Sequence, residues 1–211
     1  MIKSGIAHAV IPVAGFGTRM LPLSKSVPKE LLPLGNKPAI HFVIEEAIAA
    51  GIKHIVLVNH AQKGAIENYF DINAELDNQL RDKGKDSLAD SLNWLPNDVK
   101  ISSVRQGKPL GLGHAVLQAR AIVGNNPFAV LLPDVILDPF TTNLRKDNLA
   151  FMLAEFAKTQ HSQILVNPVD QQDINKYGIA KLAQMQTIEK TSQNQSFAVT
   201  GFVEKPKAEE A

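Results

Sequence analysis

Between residues 15 and 30 the chain gathers the residue types that hold a polyphosphate. Gly15-Phe16-Gly17-Thr18-Arg19-Met20-Leu21-Pro22 is followed by Lys25 and then by Pro28-Lys29-Glu30. Glycines let the backbone approach a ligand closely. Exposed N–H groups, one Arg and two Lys then supply positive charge against phosphate oxygens. Two other phosphate loops fail on spacing. A dinucleotide fingerprint needs a third glycine where Met20 stands, and a Walker A loop needs a Gly-Lys-Ser/Thr that nothing here supplies. The competing reading is a solvated basic loop. Arg19 and Lys29, spaced around prolines, favour the phosphate.

Four further groups have chemical potential. Gln106, with Gly107 behind it, closes an apolar segment, and its amide has both a donor and an acceptor for a base edge. Gly111-Leu112-Gly113 opens a helical pattern, so its free N–H groups can meet a base edge or a phosphate, with His114 in the first turn. Asp134 follows the apolar run Phe128–Leu132, where a carboxylate either caps a turn or holds a hard cation. Glu204-Lys205-Pro206 sets opposite charges side by side at a strand end. Neighbouring strand residues point to opposite faces, so both serve one surface only if the chain turns at Pro206; otherwise they are an exposed ion pair. The other histidines form no ligand-spaced cluster, and no nucleophile elbow is present.

These residues need a scaffold, and the hydrophobic pattern describes one. Ile6–Ala14 reads as a strand buried on both faces, Ile40–Ala50 as a helix ending at Gly51, and His54–Asn59 as a second buried strand. That is a βαβ unit, which implies a parallel sheet with right-handed crossovers. A helix follows near Gly64–Phe70, then an amphipathic excursion through Leu92. Val99–Gln106 and Phe128–Leu132 read as strands, with helices at Gly113–Val123 and Leu149–Ala157. A strand at Ile164–Val166, alternating strands at Gly178–Leu182 and Phe197–Glu204, and a surface loop at Thr187–Ser196 complete the pattern. The fold class is α/β: a doubly wound, mostly parallel, Rossmann-like central sheet with late antiparallel strands. Candidate ligand residues then fall at carboxyl ends of strands, where open α/β sheets bind ligands.

Composition narrows the classes. The chain has 211 residues, 45% of them hydrophobic, enough for one α/β domain with a sizeable core. A net charge of +1 argues against a nucleic-acid partner. With no cysteine, thiol nucleophiles and zinc ribbons are excluded, and any metal must be held by oxygen or imidazole. No apolar run approaches the ~20 residues of a membrane span, and the N-terminus lacks a secretory h-region. The reading is a soluble, cytoplasmic protein with no membrane partner.

The first loop resembles the signature loop of sugar-1-phosphate nucleotidyltransferases. Further matches lie in order: Val104-Arg105-Gln106-Gly107, Gly111-Leu112-Gly113-His114-Ala115, Leu132-Pro133-Asp134-Val135-Ile136, Tyr177-Gly178 and Val203-Glu204-Lys205-Pro206. The resemblance covers essentially the whole chain. It implies transfer of uridylyl from UTP to glucose 1-phosphate, with Mg²⁺ on Asp134. It places Ala14, Gly15, Gly17, Thr18, Glu30, Gln106 and Gly111 on the nucleotide. Gly178, Glu204 and Lys205 fall on the sugar, and Arg19, Lys29 and Lys205 on phosphate charge. It further implies one domain, 1–211, with a nucleotide-binding half over 1–135 and part of a sugar-binding half over 136–211. Because family members continue beyond the Glu-Lys-Pro element, the 211-residue form is expected to bind UTP better than it turns over, and to self-associate as a homo-oligomer. The alternatives are a sibling enzyme with another nucleotide or sugar, and a nucleotide-binding fragment without turnover.

Overall fold

The computed structural model describes residues 5–138, 140–183 and 195–206. Two compact units are distinguished, one spanning Gly5–Arg145 and the other comprising the described residues from 146 onward. In the first, β1 (His8–Pro12) leads through a long loop to a two-residue hairpin, β2 (Pro33–Leu34) and β3 (Lys37–Pro38), which the hydrophobic pattern did not reveal. Helix α1 (Ala39–Ala49) and β4 (His54–Asn59) complete the βαβ unit. Next come α2 (Gly64–Phe70), α3 (Ala74–Asp82), α4 (Asp86–Leu92), β5 (Lys100–Arg105), α5 (Leu112–Gln118), α6 (Arg120–Val123) and β6 (Phe128–Val130). The second unit holds α7 (Leu149–Thr159) and the antiparallel pair β7 (Gly178–Leu182) and β8 (Val199–Glu204).

Four strands make one all-parallel sheet in the order β5-β4-β1-β6. Ala9, Val10 and Ile11 of β1 are fully buried, as a central strand covered on both faces requires. On one face Val10, Val56 and Val58 pack with Ala115, Ala119 and Val123 of α5 and α6. Ile11, Ile55 and Leu57 alternate to the opposite face and are as deeply buried. Strand order reverses at β1, since β4 lies on one side and β6 on the other. The crevice at such a reversal is where ligands dock in open α/β sheets.

Helix α1 stops where Gly51 is placed. Gly51 takes φ +101, its N–H donates to Ile48 O, and the Ile52 N–H donates to Ala47 O, so the last carbonyls are satisfied by a Schellman turn. The polar excursion forms two short helices outside the sheet: α3 buries none of its residues and Ile72 is 81% exposed, while α4 buries Ala89. Residues 164–166 form no strand. The loop expected over 187–196 lies outside the described residues except for its last two positions.

His41 joins α1 to the excursion. Its buried ring lies on Trp94 with centroids 3.8 Å apart, Nδ1 meets the Tyr69 hydroxyl at 2.7 Å, and Nε2 lies 3.1 Å from Glu45. Burial pushes its pKa below the ordinary 6.5; Glu45 opposes this and the Lys37 charge adds to it. His54 is lowered too, by burial and then by the nearby His8 and Lys100. The unfolded chain therefore binds more protons than the folded one just below pH 6.5. Stability should be full above that value and decline as pH falls through the folded pKa values. His41→Phe keeps a ring on Trp94 without a titrating group. Urea unfolding between about pH 7.5 and 5 should show a shallower decline for it than for the parent, with the His54 share remaining. Identical slopes would refute this account of His41.

Candidate active site

The loop after β1 is held from below. Lys63, in the turn after β4, is buried; its ammonium donates to Val13 O at 2.8 Å and Gly15 O at 2.5 Å, and pairs with Glu30 at 2.9 Å. Glu30 is only 1% exposed. Both of its oxygens face Lys63, at 2.9 and 3.1 Å. Glu30, expected on the nucleotide, thus supports the loop from beneath through Lys63. Asn59, at the end of β4, fixes the turn that carries Lys63: its amide nitrogen donates to Lys63 O and to Glu67, and its oxygen accepts the His60 N–H. Glu67 also accepts from Ser103, and these hydrogen bonds, Ser103 first, hold its carboxyl below the usual range.

Above this base, Ala14 is buried while Gly15 and Thr18 are exposed. Gly17 adopts φ +63 and caps a 3₁₀ turn over Thr18–Met20. A Cβ there would also meet Ser24 Cβ at 3.3 Å and Lys29 Cβ at 3.4 Å, so glycine answers two demands at once. Ser24 Oγ donates to Gly17 O at 2.8 Å and closes the loop. Lys25 ends a second 3₁₀ turn on the exposed side.

The loop meets Asp134 across the strand reversal. Lys29 Nζ donates to Asp134 Oδ2 at 2.7 Å, with the carboxylate side chain about half exposed. Burial raises the Asp134 pKa, but the Lys29 hydrogen bond and charge, a backbone N–H and the Arg19 charge outweigh it and hold the carboxyl below its ordinary value. Asp134 is therefore ionised at neutral pH, with Lys29 paired to it and the Arg19 charge acting on it. Asp138 instead binds its own turn through Phe140 N and Thr141 Oγ1.

At the end of β5, Gln106 is buried and its backbone N–H continues the ladder to Asn59 O at 2.9 Å. Its Nε2 lies 3.2 Å from Gly111 O and 3.0 Å from His114 Nδ1. Gly111, at φ +94, caps α5, and its carbonyl also accepts the Ala115 N–H. In the second unit, Gly178 lies opposite Glu204 in the β7–β8 register, and a Cβ on Gly178 would meet Glu204 Oε2 at 3.2 Å. The turn needed to bring Glu204 and Lys205 to one surface exists: Lys205 has φ +45, its N–H donates to Tyr177 O, and its Nζ lies 3.7 Å from Glu204.

Sequence reasoning missed Lys63, Asn59 and Glu67. Lys63 and Glu30 lie 33 positions apart, beyond any local spacing rule. The available signal was the lysine's place just past the end of the buried strand His54–Asn59. His114 was singled out, but the second amide against its ring, Gln118, was not.

A parallel sheet with a pinned glycine loop, two cations and an ionised carboxylate at its carboxyl edge defines a nucleotide-handling α/β protein. The chain belongs to the nucleotidyl transferase family, whose model matches residues 8–211. It is 48% identical, over its full 211 residues and 68% of the relative's length, to the UTP–glucose-1-phosphate uridylyltransferase of Escherichia coli K12. Identity to the enzyme of that name from Haemophilus ducreyi is also 48%, over 96% of this chain and 68% of the relative. A structure of UTP-bound UGPase from Acinetobacter baumannii superposes with a TM-score of 0.88 at 44% identity, covering 98% of this chain and 70% of that one. A UDP-glucose pyrophosphorylase complexed with UDP-glucose gives 0.77 at 31% identity, covering 98% and 71%.

Removing Lys63 separates support from stability. Lys63→Met leaves Glu30 buried without a partner and should cost about 3–5 kcal/mol in urea unfolding. Adding Glu30→Leu removes the stranded charge and should restore most of that loss. The carbonyls of Val13 and Gly15 would still lack their donor, so amide exchange over residues 15–19 should stay faster than in the parent. A single variant as stable as the parent would disprove the role.

Proposed function

We propose that this chain transfers a uridylyl group from UTP to glucose 1-phosphate, giving UDP-glucose and pyrophosphate. The family membership and the relatives' activity support the reaction class. The single observation that carries the reading is the Lys29–Asp134 pair at the strand reversal between β1 and β6, with the Arg19 charge acting on the same carboxylate. An oxygen of the glucose 1-phosphate phosphate attacks the α-phosphorus of UTP in line. The bond from that phosphorus to the bridging oxygen breaks, and its electron pair leaves with pyrophosphate. No covalent enzyme intermediate is required, so the residues act by positioning and by neutralising charge.

Arg19 and the N–H groups around Gly15, Gly17 and Thr18 receive the triphosphate, and Lys29 neutralises charge beside Asp134. Gln106 and Gly111 meet the uracil. Gly178 lets the glucose ring approach, Glu204 accepts sugar hydroxyls, and Lys205 takes the sugar phosphate. Asp134 suits a divalent cation, with Mg²⁺ the best match, because a half-exposed, ionised oxygen donor needs only phosphate oxygens and water to complete the shell. Among the described residues no cluster of three or more His, Asp or Glu is placed to hold a metal. When bound there, the cation supplies charge neutralisation on the phosphate oxygens. Among the described residues no helix is long and apolar enough to cross a membrane.

A pyrophosphate-release assay with UTP, glucose 1-phosphate and Mg²⁺ tests the reading. Arg19→Ala should lower turnover by about 10²–10³, the usual loss for one transition-state donor. Arg19→Lys should recover only part, because it keeps the charge but loses the planar fork. Unchanged turnover in Arg19→Ala would remove the loop from the mechanism. Gln106→Ala should weaken uridine nucleotides by about 1–3 kcal/mol in calorimetry while leaving pyrophosphate binding intact. Equal loss for both ligands would contradict the base-facing role.

A further inference from the structure

We propose that His114 is a positioning residue that locks the Gln106 amide with its oxygen toward the base, so that the site accepts uracil and rejects cytosine. The proposal rests on the reading of Gln106 as the residue facing the base. A glutamine amide can turn over and exchange donor for acceptor at little cost, so discrimination needs something that prevents the turn. Gly111 O, 3.2 Å from Nε2, is purely an acceptor and demands a nitrogen. His114 Nδ1, 3.0 Å from the same Nε2, takes the second amide hydrogen if it carries a lone pair. Both hydrogens are then engaged inside the protein. Oε1 accepts from no other described residue and is what Gln106 has left for a ligand. The amide that the sequence reads as a two-way partner is thereby reduced to a single acceptor.

An outward acceptor suits the N3–H of uracil. Cytosine has a lone pair at N3, so two acceptors would face each other in a partly buried site, and the mismatch rejects the wrong base. The lock requires the neutral histidine tautomer with its proton on Nε2. That proton faces Gln118, whose Nε2 stands 3.2 Å from the ring Nε2 and 3.2 Å from His114 O. The two glutamines therefore compete for one ring, since a neutral imidazole cannot accept at both nitrogens. Gln106 prevails because the Gly111 carbonyl fixes its nitrogen. Gln118 is less buried and can turn, exchanging its bond to His114 O for its own oxygen on the ring N–H.

Two measurements test this. Nitrogen-15 NMR of histidine-labelled parent protein should show His114 protonated at Nε2 and bare at Nδ1, and the opposite tautomer would overturn the proposal. Calorimetry should then compare UTP with CTP for the parent, His114→Asn and His114→Phe. Asn places an oxygen acceptor near the Nδ1 position and should keep most of the UTP preference. Phe removes the acceptor and should weaken UTP about tenfold while changing CTP little, so the preference shrinks. A general packing defect would weaken both nucleotides alike in both variants, and that result refutes the lock. A parent that prefers UTP beside a Phe variant with undiminished preference refutes His114 alone. A parent that binds neither nucleotide refutes the functional reading, and the proposal with it.

Discussion

The structure around the site depends on one buried cation. Lys63 leaves water to meet Glu30 and two carbonyls of the loop above it. Burying an ammonium is costly unless the charge is paired and its remaining protons are used, and here one carboxylate and two carbonyls meet both conditions. The pair is weak evidence for stability. Its value is geometric, because the same nitrogen that neutralises Glu30 fixes Val13 and Gly15, the residues from which the phosphate-facing loop departs. Arg19 and Lys29 then need little intrinsic rigidity, since the backbone that carries them is held from beneath.

Charge is arranged in two tiers. Below the loop, Lys63 and Glu30 neutralise each other with little solvent contact. At the surface, Lys29 and Asp134 form a second pair, open enough for either member to change partners. Carboxylates of opposite use are thus separated by depth: Glu30 is enclosed and structural, and Asp134 is half exposed and ionised. Sequence types alone do not distinguish the two, because burial decides the role.

That difference marks what was legible in advance. The strands and helices that lay out the sheet could be read from apolar runs, since His54–Asn59 and Gly64–Phe70 are local patterns with clear ends. Gly51 announced a helix end for the same reason. Arg19 and Lys29 were visible in a loop marked by glycine and proline, and Asp134 and the Gly178–Glu204–Lys205 group because they lie near strand ends. The support network was not visible, because Lys63 and Glu30 are neighbours only after the sheet has formed. The expected strand at Ile164–Val166 shows the converse limit: a short apolar run can favour a strand without finding a partner to pair with. The excursion was recognised as helical, but its apolar spacing overstated burial, since α3 buries nothing.

The register of β1 sets how this architecture can vary. His8 pairs with His54 on one side and with Phe128 on the other, so β1 acts as a ruler between two fixed neighbours. One inserted residue would advance the phosphate loop by about 3.3 Å and exchange the residues that face the two covering layers. Such a change cannot be absorbed locally, because Lys63 reaches Val13 and Gly15 from the turn after the neighbouring strand β4, whose position is independent of the insertion. The part of the chain over α3 and α4, past the Lys63 turn and α2, is under no such constraint. Its exposed helix α3 can lengthen, shorten or be replaced while both strands keep their places, so that region is where the chain can change in length without moving the site.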